Sequence, residues 1–334
     1  MNIILIPLDG SVFAEQVLPH VERLAPLLNA RVQLLHVISH KIRTKLYQDH
    51  TSNSLVTAMR GVGDPFHHSV NLEQQVWEAQ YTHADNYLQS VAYRLQNAGL
   101  IVDTDIRTGV IAKRIVEVAN ELGTSMTMMA THDRQGVRRW AVGSVTDEIV
   151  HAARCPVFLV RGDPERKLDR LPIRRILVPL DGSLLSTAAL PLAIDLAITS
   201  RAEMILFQAI APRRLPSLER YVAPIGMTTP QRHEVARELC ALADELRHTE
   251  LRVTPTVSVG WPATEIIHEA VYRDVDVIVM ATHGHSGLRH WVMGSNADRV
   301  LHESKVPIIL VRPTENQQVL FAYKDLREEM IESR

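Results

Sequence analysis

Residues 3–11 read IILIPLDGS and residues 175–183 read RILVPLDGS, so the chain is written twice. The displacement of 172 positions also aligns Leu18-Pro19 with Leu190-Pro191, and Ala25 with Ala197. Further on, Met129-Ala130-Thr131-His132 matches Met280-Ala281-Thr282-His283 at a displacement of 151. That second displacement holds for Gly109 and Gly260, Trp140 and Trp291, Gly143-Ser144 and Gly294-Ser295, and on through Val160-Arg161 and Val311-Arg312. The drop of 21 places an insertion of about that size in the first copy, between positions 39 and 100. Copies of ~150 residues are domains in their own right, not the short units of a solenoid.

Each copy alternates short apolar runs with helix-like stretches. In the second copy the runs are Ile176–Leu180, Met204–Ile210, Val253–Val259, Val275–Ala281 and Pro307–Val311. They are apolar on consecutive residues, as parallel strands buried on both faces must be. Between them the pattern predicts helices near 184–199, 230–248, 263–273 and 295–304, with Pro262 where a helix can begin. The first copy predicts strands near 3–8, 32–38, 102–108, 125–131 and 157–160. Its helices fall near 12–28, 70–98, 110–122 and 144–153, with Gly123 suited to a helix C-terminus. The fold class is therefore α/β: two repeated, open, parallel, five-stranded, doubly wound (Rossmann-like) domains. Ligands in such sheets bind at the carboxyl ends of the strands, where the strand order switches. The linker is expected at Gly162–Pro172, the domains at 1–161 and 173–312, and a helical tail at 313–334. Segment 39–69 reads as a long loop able to serve as a lid.

Composition narrows the function. A net charge of −2 lacks the basic surplus of a nucleic-acid or anionic-membrane binder. Two cysteines cannot build a disulfide framework. MNIILIPLDG has neither the basic region nor the long apolar core of a secretory signal. No stretch approaches the ~18 uncharged apolar residues of a membrane span. The expected location is the cytoplasm.

The chemistry concentrates in residues 279–295, VMATHGHSGLRHWVMGS. This segment leaves a buried strand, crosses a loop holding Gly284 and Gly287, and reaches Gly294-Ser295 at the start of a helix. Glycine lets backbone approach a bulky anion, and the first N–H groups of a helix point at it. Gly294-Ser295 acting only as a helix cap, with Gly284 only a turn, is the competing reading. Asp181, closing the first strand of its copy, stands at the same sheet edge. It can accept hydrogen bonds from a ribose or base, or help to hold a magnesium ion. Ser183 is better suited to capping the next helix.

The PLDGS opening, the MATHG strand end, the nine-residue gap to Gly-Ser and the closing VPIILVR resemble the universal stress protein family, in a tandem arrangement covering roughly 1–161 and 173–312. ATP-binding members share the pattern Gly, two residues, Gly, nine residues, Gly-Ser or Gly-Thr. The second copy departs only in Ala281, whereas the first has Ala130 and Asp133 in place of both early glycines. A carboxylate ~4 Å from a phosphate repels it by ~1 kcal/mol in water and several-fold more near a partly buried site. The expectation is therefore a competent second site and a weakened first one. By the resemblance, adenine and ribose lie against Asp181 and the end of the second strand, near Ala209, with Met280 and Ala281 as the floor and Pro179 and Leu180 in the same nucleotide-binding set. Gly284, Gly294, Ser295, Asn296 and Ala297 then surround the phosphates, and His283 shapes the loop or touches the ligand. The vestigial first-copy set is Asp9, Val37, Met129, Ala130, Gly143, Ser144, Val145 and Thr146. The resemblance also implies packing of the copies as a pseudo-dimer, with the last strands, ending at Val160 and Val311, covering edges.

Other chemistries find less support. The sixteen histidines include His283, His285 and His290 in one loop, but no HExxH or matched ligand spacing, so no dedicated metal site is expected. There is no Walker A, GxGxxG or GxSxG motif. No nucleophile–base pair stands out, so no catalytic residue is assigned. The first hypothesis is a stress-response regulatory module binding ATP, with or without Mg, and acting on a protein partner. The alternative is a nucleotide-independent scaffold of the same fold, and the third is a slow ATPase or phosphoryl-transfer enzyme. Homodimerisation is left open.

Overall fold

The computed structural model describes residues 2–39, 65–131, 143–161, 172–211, 229–248, 251–282 and 293–313, with backbone alone for 65–73 and 229–231. The expected linker up to residue 171, the tail from 314 and the 40–64 part of the expected lid loop lie outside the described residues. The chain divides into two compact units. One comprises Met1–Ala130 and Gly143–Ala153, the other Thr131–Val142 and Arg154–Arg334.

In the first unit, β1 (Asn2–Pro7) holds Ile4-Leu5-Ile6 with no exposure at all, the mark of a strand covered on both faces. It pairs in parallel with β2 (Ala30–Ser39), from Asn2 opposite Ala30 to Pro7 opposite Leu35. Outside β2 lies β3 (Val102–Gly109), and on the other side of β1 lies β4 (Met126–Thr131), giving the order β3-β2-β1-β4. The connecting helices are α1 (Leu18–Leu27), α2 (Pro65–Asn97) and α3 (Ile111–Glu121), followed by α4 (Ser144–Ala152). Right-handed crossovers put α1 and α2 on one face of the sheet and α3 on the other. The strand order reverses between β1 and β4. The inserted residues of the first copy lengthen α2, which starts at Pro65, so the last residues of the expected loop are helical. Gly123, at φ +58°, ends α3, and the Thr124 N–H reaches back to the Ala119 carbonyl at 3.0 Å.

The second unit repeats the plan. Its strands are β6 (Arg175–Leu180), β7 (Glu203–Ile210), β8 (Arg252–Val259), β9 (Val277–Ala281) and β10 (Ile308–Val311). Its helices are α5 (Leu190–Ser200), α6 (Thr229–Arg247), α7 (Pro262–Tyr272) and α8 (Ser295–Glu303). Pro262 opens α7, where its missing N–H costs nothing. Beginning from β5 (Val157–Arg161), the sheet order is β5-β10-β9-β6-β7-β8, and the reversal falls between β9 and β6. All pairings are parallel except that of β5, a strand of the first repeat, which runs antiparallel to β10 with Leu159 opposite Ile308. Pro255, inside β8, cannot donate to a ladder, which suits the outermost strand of this order. No described helix is long and apolar enough to cross a membrane.

Phe158 of β5 is 1% exposed. Phe158→Ala is expected to cost about 3–5 kcal/mol. Hydrogen exchange should show the loss in β9 and β10 rather than in β1 and β2, although residue 158 belongs to the first repeat.

Candidate functional site

The reversal between β9 and β6 leaves a gap at the carboxyl edge of the second sheet, and the site is built there. At the end of β6 the chain turns through Asp181-Gly182-Ser183. Gly182 has φ +80°, a conformation that side chains other than glycine adopt at a cost. One oxygen of Asp181, Oδ1, accepts the Ser183 N–H at 3.0 Å and the Ser183 hydroxyl at 2.5 Å. The Ser183 Oγ in turn accepts the Ser186 N–H at 3.2 Å. Ser183 is therefore the cap of the next turn, as its spacing suggested. The first repeat builds the same turn. Ser11 N–H donates to Asp9 Oδ1 at 2.9 Å, Ala14 N–H to Ser11 Oγ at 3.1 Å, and Gly10 has φ +84°.

A crevice of about 260 Å³ opens beside this turn. Met280 and Ala281, at the end of β9, and Thr282 lie on one side. Pro179, Leu180, Asp181 and Ser186 lie on another, with Phe207 and Ala209 of β7 and Pro262 and Ile266 of α7 adding apolar surface. Gly294, Ser295, Asn296 and Ala297, entering α8, complete the lining. The Gly294 N–H donates to the Thr282 carbonyl at 2.9 Å, which draws the start of α8 onto the end of β9. Gly294 stands at the N-cap with φ −61° and ψ 140°, and no described side chain caps the helix. The amides of its first turn thus reach the crevice without a cap from the described residues. Among the described lining residues there is no Lys or Arg, and Asp181 is the sole carboxylate. Among the described lining residues an anion meets backbone dipoles and no cationic side chain.

The structure therefore brings together Pro179, Leu180, Asp181, Ala209, Met280, Ala281, Gly294, Ser295, Asn296 and Ala297. His283 and Gly284 lie outside the described residues, as do Asp133 and the loops holding Trp140 and Trp291. Sequence reasoning missed Ser186, Phe207, Pro262, Ile266 and Thr282. Phe207 was within reach, because it lies two residues before Ala209 and so faces the same side of β7. In the first unit Asp9 follows β1, Val37 lies on β2, Met129 and Ala130 end β4, and Gly143 to Thr146 enter α4, around the corresponding reversal. Among the described residues no group of three or more His, Cys, Asp or Glu could hold a metal ion.

The model of the universal stress protein family matches residues 1–161 and again 172–312. The chain belongs to that family. A universal stress protein of Mycolicibacterium smegmatis is 26% identical over 319 residues, spanning 93% of this chain and 97% of its own length. The crystal structure of one from Archaeoglobus fulgidus superposes with a TM-score of 0.66 at 16% identity, over 93% of this chain and 98% of its own, a likeness of fold. A universal stress protein solved in complex with cAMP matches 43% of this chain, and all of its own, at 23% identity and a TM-score of 0.32.

Gly10 has open space where a Cβ would stand, so the cost of substituting it is backbone strain alone. Gly10→Ala is expected to destabilise the first unit by about 1–2 kcal/mol and Gly10→Asn by less, since Asn tolerates positive φ. Denaturant melts of the two variants check the ranking.

Proposed function

We propose that this universal stress protein is a regulatory module that binds an adenine nucleotide, ATP foremost, in the crevice of its second unit. The observation that carries the reading is the start of α8, uncapped by any described side chain, facing Asp181 across a crevice with an apolar flank of Phe207, Ala209, Pro262 and Ile266. Phosphate oxygens take the Ser295–Ala297 amides, where each charge-assisted hydrogen bond contributes about 1.5–3 kcal/mol. Asp181 accepts from ribose hydroxyls beside the two bonds that its Oδ1 receives within its turn. The base lies along Phe207, Ala209, Pro262 and Ile266. A magnesium ion arriving with ATP would take most of its oxygens from the phosphates, with Asp181 the nearest protein carboxylate. Among the described lining residues no nucleophile–base pair stands out, and binding rather than turnover is the expected output, relayed to a protein partner in the cytoplasm.

Gly294→Asp separates binding from folding. An aspartate at this N-cap takes the free amides itself and favours the helix dipole, worth a few tenths to ~1 kcal/mol. The melting temperature should hold or rise while ATP affinity, measured by calorimetry on nucleotide-stripped protein, falls at least about tenfold. Gly284→Asp, which writes the first repeat's residue into the second, should weaken binding in the same direction. A wild type that takes up no ATP sinks the proposal and leaves the nucleotide-independent scaffold.

A further inference from the structure

The first unit carries a cluster of titratable groups that the second lacks. His36 lies on β2, one step beyond the 2.8 Å bond from the Leu8 N–H to the Leu35 carbonyl, which sets Leu8 and Asp9 beside it. The Nδ1 of the ring is buried with no hydrogen-bond partner among the described residues. From α2, His83 and Tyr87 face the same space, one helical turn apart, and the Tyr87 hydroxyl is buried. Glu15, on the 3-10 turn Ala14–Val17, stands beside Tyr87 and is held by Arg94 of α2 at 2.6 Å. Burial holds the His36 ring below the ordinary histidine value of 6.5, against the Leu8 backbone and the Asp9 charge, with His83 adding to the depression. Burial, and then the Glu15 charge, push the Tyr87 hydroxyl above its ordinary range.

The second repeat has none of this. At the displacement of 172, Gln208 replaces His36 and Thr187 replaces Glu15. At 151, the buried pairs Leu88 and Leu239, Ala92 and Ala243, and Leu95 and Leu246 fix the alignment of α2 with α6. Glu234 and Glu238 then take the places of His83 and Tyr87. Only the aspartate of the turn, Asp9 or Asp181, is shared.

We propose that the first unit is proton-responsive: on acidification His36 takes up a proton, and its charge draws on Asp9 and resets the Asp9–Ser11 turn. At neutral pH the ring is uncharged and lends no positive charge to the Asp9 carboxylate at the edge of this unit's own candidate site. Once His36 is charged, that negative potential is offset and an anionic ligand is better received. The ligand consequence rests on the nucleotide reading above; the proton uptake does not. Stability follows the sign of the shift. The unfolded chain takes the proton first, so stability falls as pH drops through 6.5 towards the folded value, and a glutamine at position 36 removes that part of the slope.

Nuclear magnetic resonance on the full chain tests the coupling, following the His36 ring and the amides of Asp9, Gly10 and Ser11 from about pH 8 to about pH 4.5. The amides should share the ring's midpoint, below 6.5, and lose it in His36→Gln, while those of Asp181 to Ser183 show no such midpoint. A ring that titrates at or above 6.5, or an amide transition that survives His36→Gln, overturns the proposal. For the ligand, ATP is titrated into Gly294→Asp with and without His36→Gln. Affinity should tighten at least about threefold between about pH 7.5 and about pH 5.5 only where His36 is present. A shared midpoint with no ATP response at either pH leaves the proton coupling standing and counts against the nucleotide reading of this unit alone.

Discussion

A parallel strand covered by helices on both faces has no polar side to offer. Ile4-Leu5-Ile6 in the first repeat and Ile176-Leu177-Val178 in the second are shut away from water along both faces. Along these central strands little polar chemistry can be carried, and the ends of the strands are where it gathers. Because the strands of each repeat run together, their carboxyl ends share one edge, and the reversal in strand order opens a gap in it. The aspartate turn, the end of β9 and the start of α8 meet in that gap.

The repeats keep this frame and differ in what they hang on it. Both spend one oxygen of the turn aspartate on the serine two residues later, and both use a glycine at positive φ between them. Beyond the turn they part. The second unit lines its crevice with Ser186 and Phe207. The first has Ala14 and Leu35 at the corresponding positions, and sets His36 and Tyr87 on its α2 side. Tandem duplication leaves one backbone with two chemistries, and the half-buried side chains His36 and Tyr87 of β2 and α2 record the change.

Much of this could be read from the residues. Apolar runs, repeat displacements and the positions of Pro262 and Gly123 set the strands and helices to within a few residues, because burial on both faces leaves an unbroken apolar record. The crevice residues carried by motifs were equally legible. Those that were not, Ser186, Phe207, Pro262, Ile266 and Thr282, are ordinary core or capping residues whose role comes from the approach of distant segments. No local pattern distinguishes Ile266 from any other apolar residue on α7. The start of α2 was misjudged for a related reason: residues 65–69 have a polar, histidine-containing composition that reads as loop, and the helix runs through them nonetheless.

The antiparallel seam between β5 and β10 has a consequence in time. A chain is made from its amino terminus, and domains generally fold as they emerge. β5 is synthesised about one repeat length before β10, the strand it must meet. Until then its ladder edge lacks that partner, and the intervening repeat has to be threaded into sheet form alongside it. The second unit is thus a piece of architecture whose first-made strand waits for its last. Pausing or truncation anywhere between them leaves an open strand edge, the kind of surface on which chaperones act.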